Sequence, residues 1–454
     1  MNSAIQGVSD TPAPFHPASS PDYVPRQPLG HLQSQRLRRV VGQAYEHVSL
    51  VRQRMQKQGV APADIRGVED IHKLPFTCQA DLRDAYPFGM LAVPIQQVLR
   101  LHPSGGGSGR PVVAAYTRRD LDVWTEVIVR CLACCGIQRG DVIQNACAYD
   151  LFSDGPGLHY AGETLGAAVI PLAGGDAARQ IALLKDFGVS VFCSTPSHFL
   201  YLAQRAEKLG VDLRELPLRV GIFVGEGWSE AARRRIEEAA AIKAYDVYGL
   251  AESIGPGIGA ECRHQSGLHV FEDHFYPEIV DPATGEPLAD GREGELVLTA
   301  LSHEATAMIR YRTRDLTAIE AEPCPCGRTL RRIRRIDRRG DEMFVVQGLN
   351  VFPSQIEAAL LAVEGTLPHY QIVLTQVNGV DQVDVEIEVT PQIFSDRVGA
   401  LESLQERLAQ ELEHALGFKA AVRLVEPHVV DRRGGRAQRV VDKRGGEKGS
   451  GVRV

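Results

Sequence analysis

The sequence has no long apolar run and no excess of positive charge. No stretch of about 18 uncharged apolar residues occurs in its 454 residues, and no basic patch followed by an apolar run stands near its start. We therefore expect a cytoplasmic protein, neither secreted nor membrane-spanning. The formal net charge of −7 provides no basic footprint for nucleic acid or anionic membranes, so small ligands are the expected partners.

The nine cysteines do not form the pattern of a disulfide framework. Cys131, Cys134 and Cys135 lie in a helix-like apolar setting, which favours reduced thiols in a core. Cys324 and Cys326, in a Cys-Pro-Cys-Gly turn, stand apart from these. We treat them below as candidate metal ligands.

The length predicts two or three domains, because 454 residues exceed one ordinary core. After residue 110, helical patterns alternate with short apolar runs at residues 142–146, 167–171, 191–194 and 220–224, which is typical of parallel α/β architecture. From residue 271, Asp/Gly turns between β-like segments indicate a β-rich subdomain. We predict a large domain over residues 1–339 and a small, mobile α+β domain over residues 340–454.

Three local expectations complete this outline. The proline-rich residues 11–28 predict an extended lead-in. Apolar residues at helical spacing over 32–55 predict one amphipathic helix. The basic, Gly-rich tail after Val430 is typical of a solvated, mobile end.

A glycine-rich stretch between His102 and Pro111 is the first candidate binding element. Bare backbone amides in such a loop can approach phosphate oxygens closely, and Arg110 adds a positive charge. The Walker A register is absent, and a flexible surface turn is an equally good interpretation from the loop alone. Two more motifs, at residues 225–227 and 248–252, follow predicted strands, where ligands collect in α/β sheets. Their positions favour a binding crevice.

Longer motifs make the chain resemble the adenylate-forming ligases, most closely the phenylacetate:CoA ligase family. The similarity runs from about Lys73 to Arg444. It rests on the segments at residues 73–77, 86–90, 248–250, 271–278 (Phe-Glu-Asp-His-Phe-Tyr-Pro-Glu) and 350–357 (Asn-Val-Phe-Pro-Ser-Gln-Ile-Glu).

The resemblance implies a two-step reaction. A carboxylic acid and MgATP form an acyl-adenylate and pyrophosphate, and the thiol of CoA then displaces AMP. The implied fold is an α/β adenylate-forming domain followed by a small mobile domain. The implied ligands are ATP, Mg²⁺, CoA and an aryl or arylacetic acid, and the family resemblance also implies a homodimer.

The resemblance also implies roles for particular residues. The phosphate loop would comprise Ser104, Gly105, Gly106, Gly107, Ser108, Gly109 and Arg110, and Glu252 would bind Mg²⁺. Gly225, Glu226, Asp246, Tyr248 and Gly249 would line the nucleotide, with Asp315 and Arg339 at the ribose. Tyr149, Phe152, Ile254, Gly255 and Pro256 would line the acid pocket, and Asp341 would be the hinge between the domains.

A structural zinc site is a further expectation. Cys324 and Cys326 could join Cys262 and His269 as four ligands. Cys-x-Cys is tighter than the usual zinc spacing, and His264 competes with His269 for the fourth position. Reduced turn cysteines are the alternative.

The sequence departs from the family at three places. In the phosphate loop glycine replaces the second serine and one of the two threonines of the family, Arg314 stands where glycine is usual, and Arg436 replaces the adenylation lysine. The leading hypothesis is an aryl-acid:CoA ligase. The alternatives are an adenylating enzyme that passes the acyl group to a carrier protein or an amine, and a degenerate ligase fold that binds ligand without efficient turnover.

Overall fold

The described part of the chain starts with helical segments that pack on the large unit. The computed structural model describes residues 16–104, 110–149, 153–173, 175–340, 342–346, 349–363, 369–377, 380–389, 398–426, 432–433, 436–437 and 439–444. A 3₁₀ helix (Pro17–Tyr23) precedes α1 (Arg26–His47), α2 (Ser49–Lys57) and α3 (Gln79–Asp84).

Two local expectations for this region were wrong. The single helix expected over 32–55 is interrupted at Val48, whose backbone is extended (φ −106°, ψ 104°). The extended lead-in expected over residues 11–28 is instead a 3₁₀ helix at Pro17–Tyr23 followed by α1 from Arg26, and residues 11–15 lie outside the described residues. Pro28 falls within the first turn, where a missing N–H is tolerated.

The centre of the large unit is an eight-stranded sheet. Its strand order is β13-β9-β8-β7-β6-β5-β3-β4, in which β4, β3, β5, β6 and β7 run parallel and β7, β8, β9 and β13 pair antiparallel. A hairpin of β1 (Arg100–Ser104) and β2 (Val112–Tyr116) precedes it. The sheet's strands are β3 (Val142–Asn145), β4 (Ala168–Pro171), β5 (Val191–Ser194), β6 (Val220–Phe223), β7 (Lys243–Leu250), β8 (Gly255–Glu261), β9 (Leu268–Val270) and β13 (Arg332–Ile333).

Amphipathic helices connect and cover the parallel strands. The N-terminus of the first, α4, is closed by a capping box, in which the Thr117 hydroxyl accepts from the Asp120 amide and the Asp120 carboxylate accepts from the Thr117 amide. Its buried face includes Trp124 and Ile128. The helices are α4 (Arg118–Cys134), α5 (Asp154–Leu165), α6 (Ala177–Asp186), α7 (Pro196–Lys208) and α8 (Glu230–Ala240).

The β-rich subdomain expected after residue 271 is an antiparallel sheet of order β10-β11-β12-β14. Arg314 interrupts it with a left-handed backbone (φ +68°) next to a register shift between β11 and β12. This geometry explains why glycine suits that position, since a side chain is strained there. The strands are β10 (Phe275–Val280), β11 (Gly294–Ala300), β12 (Tyr311–Thr317) and β14 (Arg338–Arg339).

The C-terminal unit has its own core of buried residues between Phe344 and Val422. Its main sheet has the order β19-β18-β17-β22, covered by two helices. Its elements are β15 (Phe344–Val346), β16 (Leu349–Val351), α9 (Pro353–Leu361), β17 (Tyr370–Val377), β18 (Val380–Glu388), α10 (Val398–Leu416), β19 (Ala421–Val425), β20 (Arg432–Arg433), β21 (Arg436–Ala437) and β22 (Val440–Asp442).

The expectation of a solvated, mobile tail was wrong for residues 439–444. Strand β22 pairs in parallel with β17, and Arg444 donates to Asp381 at 2.8 Å. The apolar Val440 and Val441 and the parallel pairing draw this segment into the sheet, although its charge pattern resembles a free end. Within the described parts of the chain, no helix has the length and apolar composition needed to cross a bilayer.

Candidate functional site

The candidate site lies where the parallel strands end at one edge of the large sheet. Tyr149 follows β3, Ser197 follows β5, Glu226 follows β6, and Tyr248 lies near the end of β7. Because the carboxyl ends of parallel strands meet at one edge, these side chains lie along the same edge of the sheet.

The ribose candidates form one hydrogen-bonded group. Asp315 on β12 pairs in register with Arg339 on β14, and the Arg339 guanidinium donates to Asp315 Oδ1 at 2.9 Å. The Tyr248 hydroxyl donates to Asp315 Oδ2. Asp315 is only 2% exposed. Burial raises the pKa of the Tyr248 hydroxyl, and the Asp315 charge adds to the shift, so the proton stays on the tyrosine.

The adenine candidates include a buried carboxyl. Burial raises the pKa of Asp246 to about 7, with Glu261 adding to the shift and Arg335 opposing it. Arg335 Nε lies 3.8 Å from Asp246 Oδ2, and the Asp246 amide donates to Glu261 Oε2 at 2.9 Å. Arg233 in turn donates to both Glu261 oxygens at 2.8 Å. This supporting shell was not found from the sequence, because its members have no common motif.

The turn at residues 225–227 follows β6, in which Phe223 pairs with Asp246 of β7. Gly225 has a left-handed backbone (φ +82°). The half-buried Glu226 accepts from the Ser197 hydroxyl at 2.9 Å. Ser197 was also missed, since a serine in the first turn of a helix has no distinctive sequence signal.

Glu252, the candidate magnesium ligand, is half-buried and accepts from Gln79 Nε2 at 3.4 Å. Gln79 is a neighbour that sequence reasoning did not identify. Gly249, three residues before Glu252, allows β7 and β8 to approach closely, since a Cβ there would lie 2.0 Å from the Gly255 carbonyl oxygen. That approach brings the 248–252 motif against the 254–256 segment.

The acid-pocket candidates lie on two adjoining segments. The Tyr149 hydroxyl accepts from Asn145 Nδ2 at 2.9 Å and lies 3.0 Å from His159 Nδ1. Ile254 is buried, and the Pro256 carbonyl accepts from Trp124 Nε1 at 3.2 Å. Gly255 (φ +86°) packs so closely that a Cβ there would lie 2.5 Å from Ser153 Oγ. The segment that carries Tyr149 and the 254–256 segment therefore adjoin near the start of α5.

Several expected site residues are described only in part or not at all. Phe152, Asp341 and the loop residues Gly105, Gly106, Gly107, Ser108 and Gly109 lie outside the described residues. The ends of the loop are placed: the Ser104 backbone pairs with Val112 across the β1–β2 hairpin, and Arg110 is exposed. The backbone of Arg436 lies in β21, paired with that of Arg433 in β20.

The four zinc candidates come together in space. One ligand atom from each of Cys262, His269, Cys324 and Cys326 lies within 4.8 Å of all the others. The Cys262 and Cys324 sulfurs are 3.7 Å apart, and Cys326 Sγ lies 3.4 Å from His269 Nε2. Tetrahedral zinc, with bonds of about 2.3 Å to sulfur and 2.0 Å to nitrogen, would place two sulfurs roughly 3.8 Å apart and a sulfur and a nitrogen roughly 3.5 Å apart. The rival His264 is exposed.

A buried ionic network next to this cluster was also missed. Arg130 is fully buried, donates to Asp22 Oδ1 at 2.9 Å and binds both oxygens of Asp273 at 3.0 Å. Arg328, next to the cysteine turn, donates to the other Asp22 oxygen at 3.0 Å. The network therefore connects the N-terminal 3₁₀ helix to the cysteine turn and to β10.

Comparison with known proteins gives the family. Residues 149–302 match the family model of the AMP-binding enzymes, and residues 348–444 match that of the AMP-binding enzyme C-terminal domain. The chain is 42% identical over 435 residues to a phenylacetate–coenzyme A ligase of Thermus thermophilus. The aligned region covers 93% of this chain and 98% of that ligase. The chain belongs to the phenylacetate–CoA ligase family. The resemblance inferred from the motifs is thus confirmed.

Solved structures confirm the adenylate-forming fold of this family member. A 2-hydroxyisobutyryl-CoA ligase in its postadenylation state, with an acyl-AMP bound, superposes with a TM-score of 0.85 at 28% identity, over 94% of both chains. The same ligase in its thioesterification state, with an acyl-AMP and CoA bound, superposes with a TM-score of 0.70 at 29% identity. The superposition covers 95% of this chain and 94% of the ligase. The arrangement of the whole chain is therefore closer to that of the postadenylation state.

Proposed function

We propose that this family member is an AMP-forming acid–CoA ligase that activates an aryl or arylacetic acid as its adenylate and transfers the acyl group to CoA. The observation that supports this most directly is the Tyr248–Asp315–Arg339 group, a buried carboxylate held between a phenol and a guanidinium at the crevice. Such a carboxylate can accept from ribose hydroxyls. Family membership over almost the whole chain supports the same reaction.

The proposed chemistry divides among the site residues. ATP would place its ribose at Asp315, its adenine between Asp246 and Glu226, and its phosphates at the glycine loop with Arg110. Glu252 would hold Mg²⁺, since a half-exposed carboxylate is a hard oxygen ligand. Magnesium, when bound, would neutralise charge on the leaving pyrophosphate. The acid would lie between the Tyr149 ring and the Ile254–Pro256 segment.

We further propose a structural zinc held by Cys262, His269, Cys324 and Cys326. The nearly tetrahedral spacing of the sulfur and nitrogen atoms supports it. Hydrogen bonding from the Cys262 thiol lowers the pKa of Cys326, with Cys324 adding to the effect, which favours the thiolate that zinc requires. Four protein ligands leave no open position, so this metal would stabilise the fold and take no part in the reaction.

Pyrophosphate release is the direct test of the main proposal. A panel of phenylacetate, benzoate and ring-substituted analogues, each with and without CoA, should give acid-dependent release of pyrophosphate and an acyl-CoA product. Pyrophosphate without acyl-CoA would point to a carrier protein or an amine as the acceptor. Nucleotide binding without pyrophosphate would support the degenerate alternative. A cytoplasmic homodimer is part of the proposal, and analytical ultracentrifugation measures the oligomeric state.

A further inference from the structure

The C-terminal unit contacts the large unit through α9 and the segment before β22. Leu361 at the end of α9 packs against the apolar cluster that contains Phe223 and Ile236 of the large unit. The ring of His369, just before β17, lies 6.2 Å from that of Tyr201 on α7. Two charged residues of the C-terminal unit lie in the same region: Glu357 is buried and Arg439 is half-buried.

Glu357 directs its carboxylate at the start of a helix in the other unit. It is 6% exposed, and its Oε1 atom lies 3.5 Å from the backbone nitrogen of Ser229. Ser229 is the N-cap of α8, where its hydroxyl accepts from the Ala232 amide. A negative charge at a helix N-terminus is favourable, because the free amides and the helix dipole point toward it.

Arg439 forms the second half of the charged pair. Its guanidinium lies 3.5 Å from the other Glu357 oxygen and 4.3 Å from the centre of the Tyr370 ring. Burial lowers the pKa of the Arg439 guanidinium, but nearby acidic groups, among them Glu357 and Glu226, outweigh this and raise it. Glu226 belongs to the large unit and is fixed by the Ser197 hydroxyl. The pair therefore places an anion at the start of α8 and a cation near Glu226.

This contact depends on how the two units are arranged. Glu357 and Arg439 both belong to the C-terminal unit, so they stay together when that unit turns. The partners Ser229 and Glu226 would be left behind. A charged pair removed from water is stabilised only where its remaining hydrogen bonds are met, so this contact favours the observed arrangement over any other.

The position of Arg439 connects the contact to the proposed chemistry. It lies three residues after Arg436 and directly before β22, which pairs with β17. Fixing Arg439 therefore restricts the β20–β21 hairpin that carries Arg436. The observed arrangement is the one that superposes more closely on a postadenylation-state ligase than on a thioesterification-state ligase.

We propose that the Glu357–Arg439 pair is a positioning device that holds the C-terminal unit in the arrangement for adenylation by docking on residues 225–229 of the large unit. The inference rests on the proposed function, because it assigns the pair to the first of the two half-reactions. Neither residue touches the reacting atoms. Both act by placing the hairpin that carries Arg436.

The test compares Glu357→Ala and Glu357→Gln with a matched control, Asp384→Asn. Asp384 pairs with Arg423 at 3.3 Å within the C-terminal sheet. The first half-reaction is measured as phenylacetate-dependent ATP–pyrophosphate exchange, and the second as CoA transfer from synthetic phenylacetyl-adenylate. We expect Glu357→Ala to slow the first by roughly tenfold, the equivalent of about 1.4 kcal/mol, with the second unchanged or faster. Glu357→Gln should slow the first half-reaction by less than Glu357→Ala does. Asp384→Asn should change the rate of neither half-reaction.

Equal losses in both half-reactions, or none in either, would overturn the proposal. Hydrogen exchange provides a readout that does not depend on activity. The amides at residues 229–240 should exchange faster in Glu357→Ala than in the wild type or in Asp384→Asn. If the wild type forms no adenylate at all, the proposed function fails, and the exchange result alone decides: unchanged protection of α8 then refutes the docking contact.

Discussion

Asp246 shows, at the scale of one residue, how the fold changes the chemistry of a carboxyl group. Its backbone position on β7 is set by strand pairing with β6, and its side chain is enclosed with Glu261 and Arg335 around it. The structure therefore brings together two acids that lie 15 positions apart in the sequence. Mutual repulsion and loss of water both favour the protonated form.

We expect this group to make the stability of the free protein depend on pH. The pKa is raised from 3.8 to about 7, so the folded chain keeps a proton that the unfolded chain releases. Stability should then fall as the pH rises from about 4 to 7 and level off above. Asp246→Asn removes the ionisation and should gain about 2 kcal/mol relative to the wild type between pH 5 and pH 8. Urea unfolding at both pH values measures this.

Asp384→Asn is the control for that experiment, because Asp384 is a half-buried carboxylate of the C-terminal sheet that pairs with Arg423. Its stability difference from the wild type should be the same at both pH values. A pH dependence in Asp246→Asn that parallels the wild type would show that Asp246 ionises normally.

Glu252 is the second residue whose role can be tested alone. If it holds Mg²⁺, Glu252→Gln should lower pyrophosphate release by about two orders of magnitude, the equivalent of roughly 2.7 kcal/mol. The isosteric amide preserves the shape beside Gln79. Glu207→Gln, at an exposed position on α7, should retain full activity. Wild-type rates in Glu252→Gln, with unchanged dependence on magnesium concentration, would remove it from the site.

At the scale of elements, the cysteine turn is the clearest case of a local motif that needs the fold. Cys324 and Cys326 adjoin in sequence, but Cys262 and His269 reach them because β9 pairs with β13 just after the turn. In that pairing His269 lies opposite Arg332, and its side chain is fully buried while His264 remains in solvent. Strand pairing, not spacing, therefore places His269 rather than His264 beside the three cysteines.

We expect one zinc per chain in protein purified without chelator, as a closed four-ligand site implies. Cys324→Ser should lose the metal and lower the midpoint of thermal unfolding, because metal binding contributes to folding free energy. Cys78→Ser, outside the cluster and half-buried, is the matched control and should keep the zinc. Native mass spectrometry measures the zinc content. A well-folded wild type without zinc would contradict the metal site and leave three reduced cysteines beside a histidine.

At the scale of the whole molecule, the proposed mechanism makes adenylation depend on how the two units are arranged. The hairpin of β20 and β21 carries Arg436 where the family has lysine. Arginine keeps the charge but is a larger planar group, so it cannot replace a compact ammonium at one point. If this hairpin faces the nucleotide during adenylation, as the family resemblance implies, the cost should fall on that step.

We therefore expect Arg436→Lys to accelerate pyrophosphate release by up to about a hundredfold, the equivalent of roughly 2.7 kcal/mol. CoA transfer from synthetic acyl-adenylate should change little. Arg433→Lys, at the paired position on β20, is the control and should affect neither step. If the lysine variant gains nothing, Arg436 is already adapted to this site or does not reach it, and Lys443 becomes the next residue to test.

The sequence by itself determined the family, the α/β class and the order of the motifs, because these depend on local patterns: apolar runs, turn residues and contiguous family segments. The same local patterns identified three candidate binding elements: Ser104–Arg110, the 225–227 turn and the 248–252 segment. The tail shows where local pattern failed. Its charge and glycine content predicted a free end, yet Val440 and Val441 pair with β17.

Only the tertiary structure decided that His269, and not His264, lies beside the cysteines. It also placed Arg233, Glu261 and Arg335 around Asp246, and Glu357 against the Ser229 amide. These contacts join positions far apart in the chain, 62 residues for Cys262 with Cys324 and 128 for Ser229 with Glu357. No periodicity of helix or strand reaches that far. Burial then sets the charge state of each group, and burial is a property of the packed molecule.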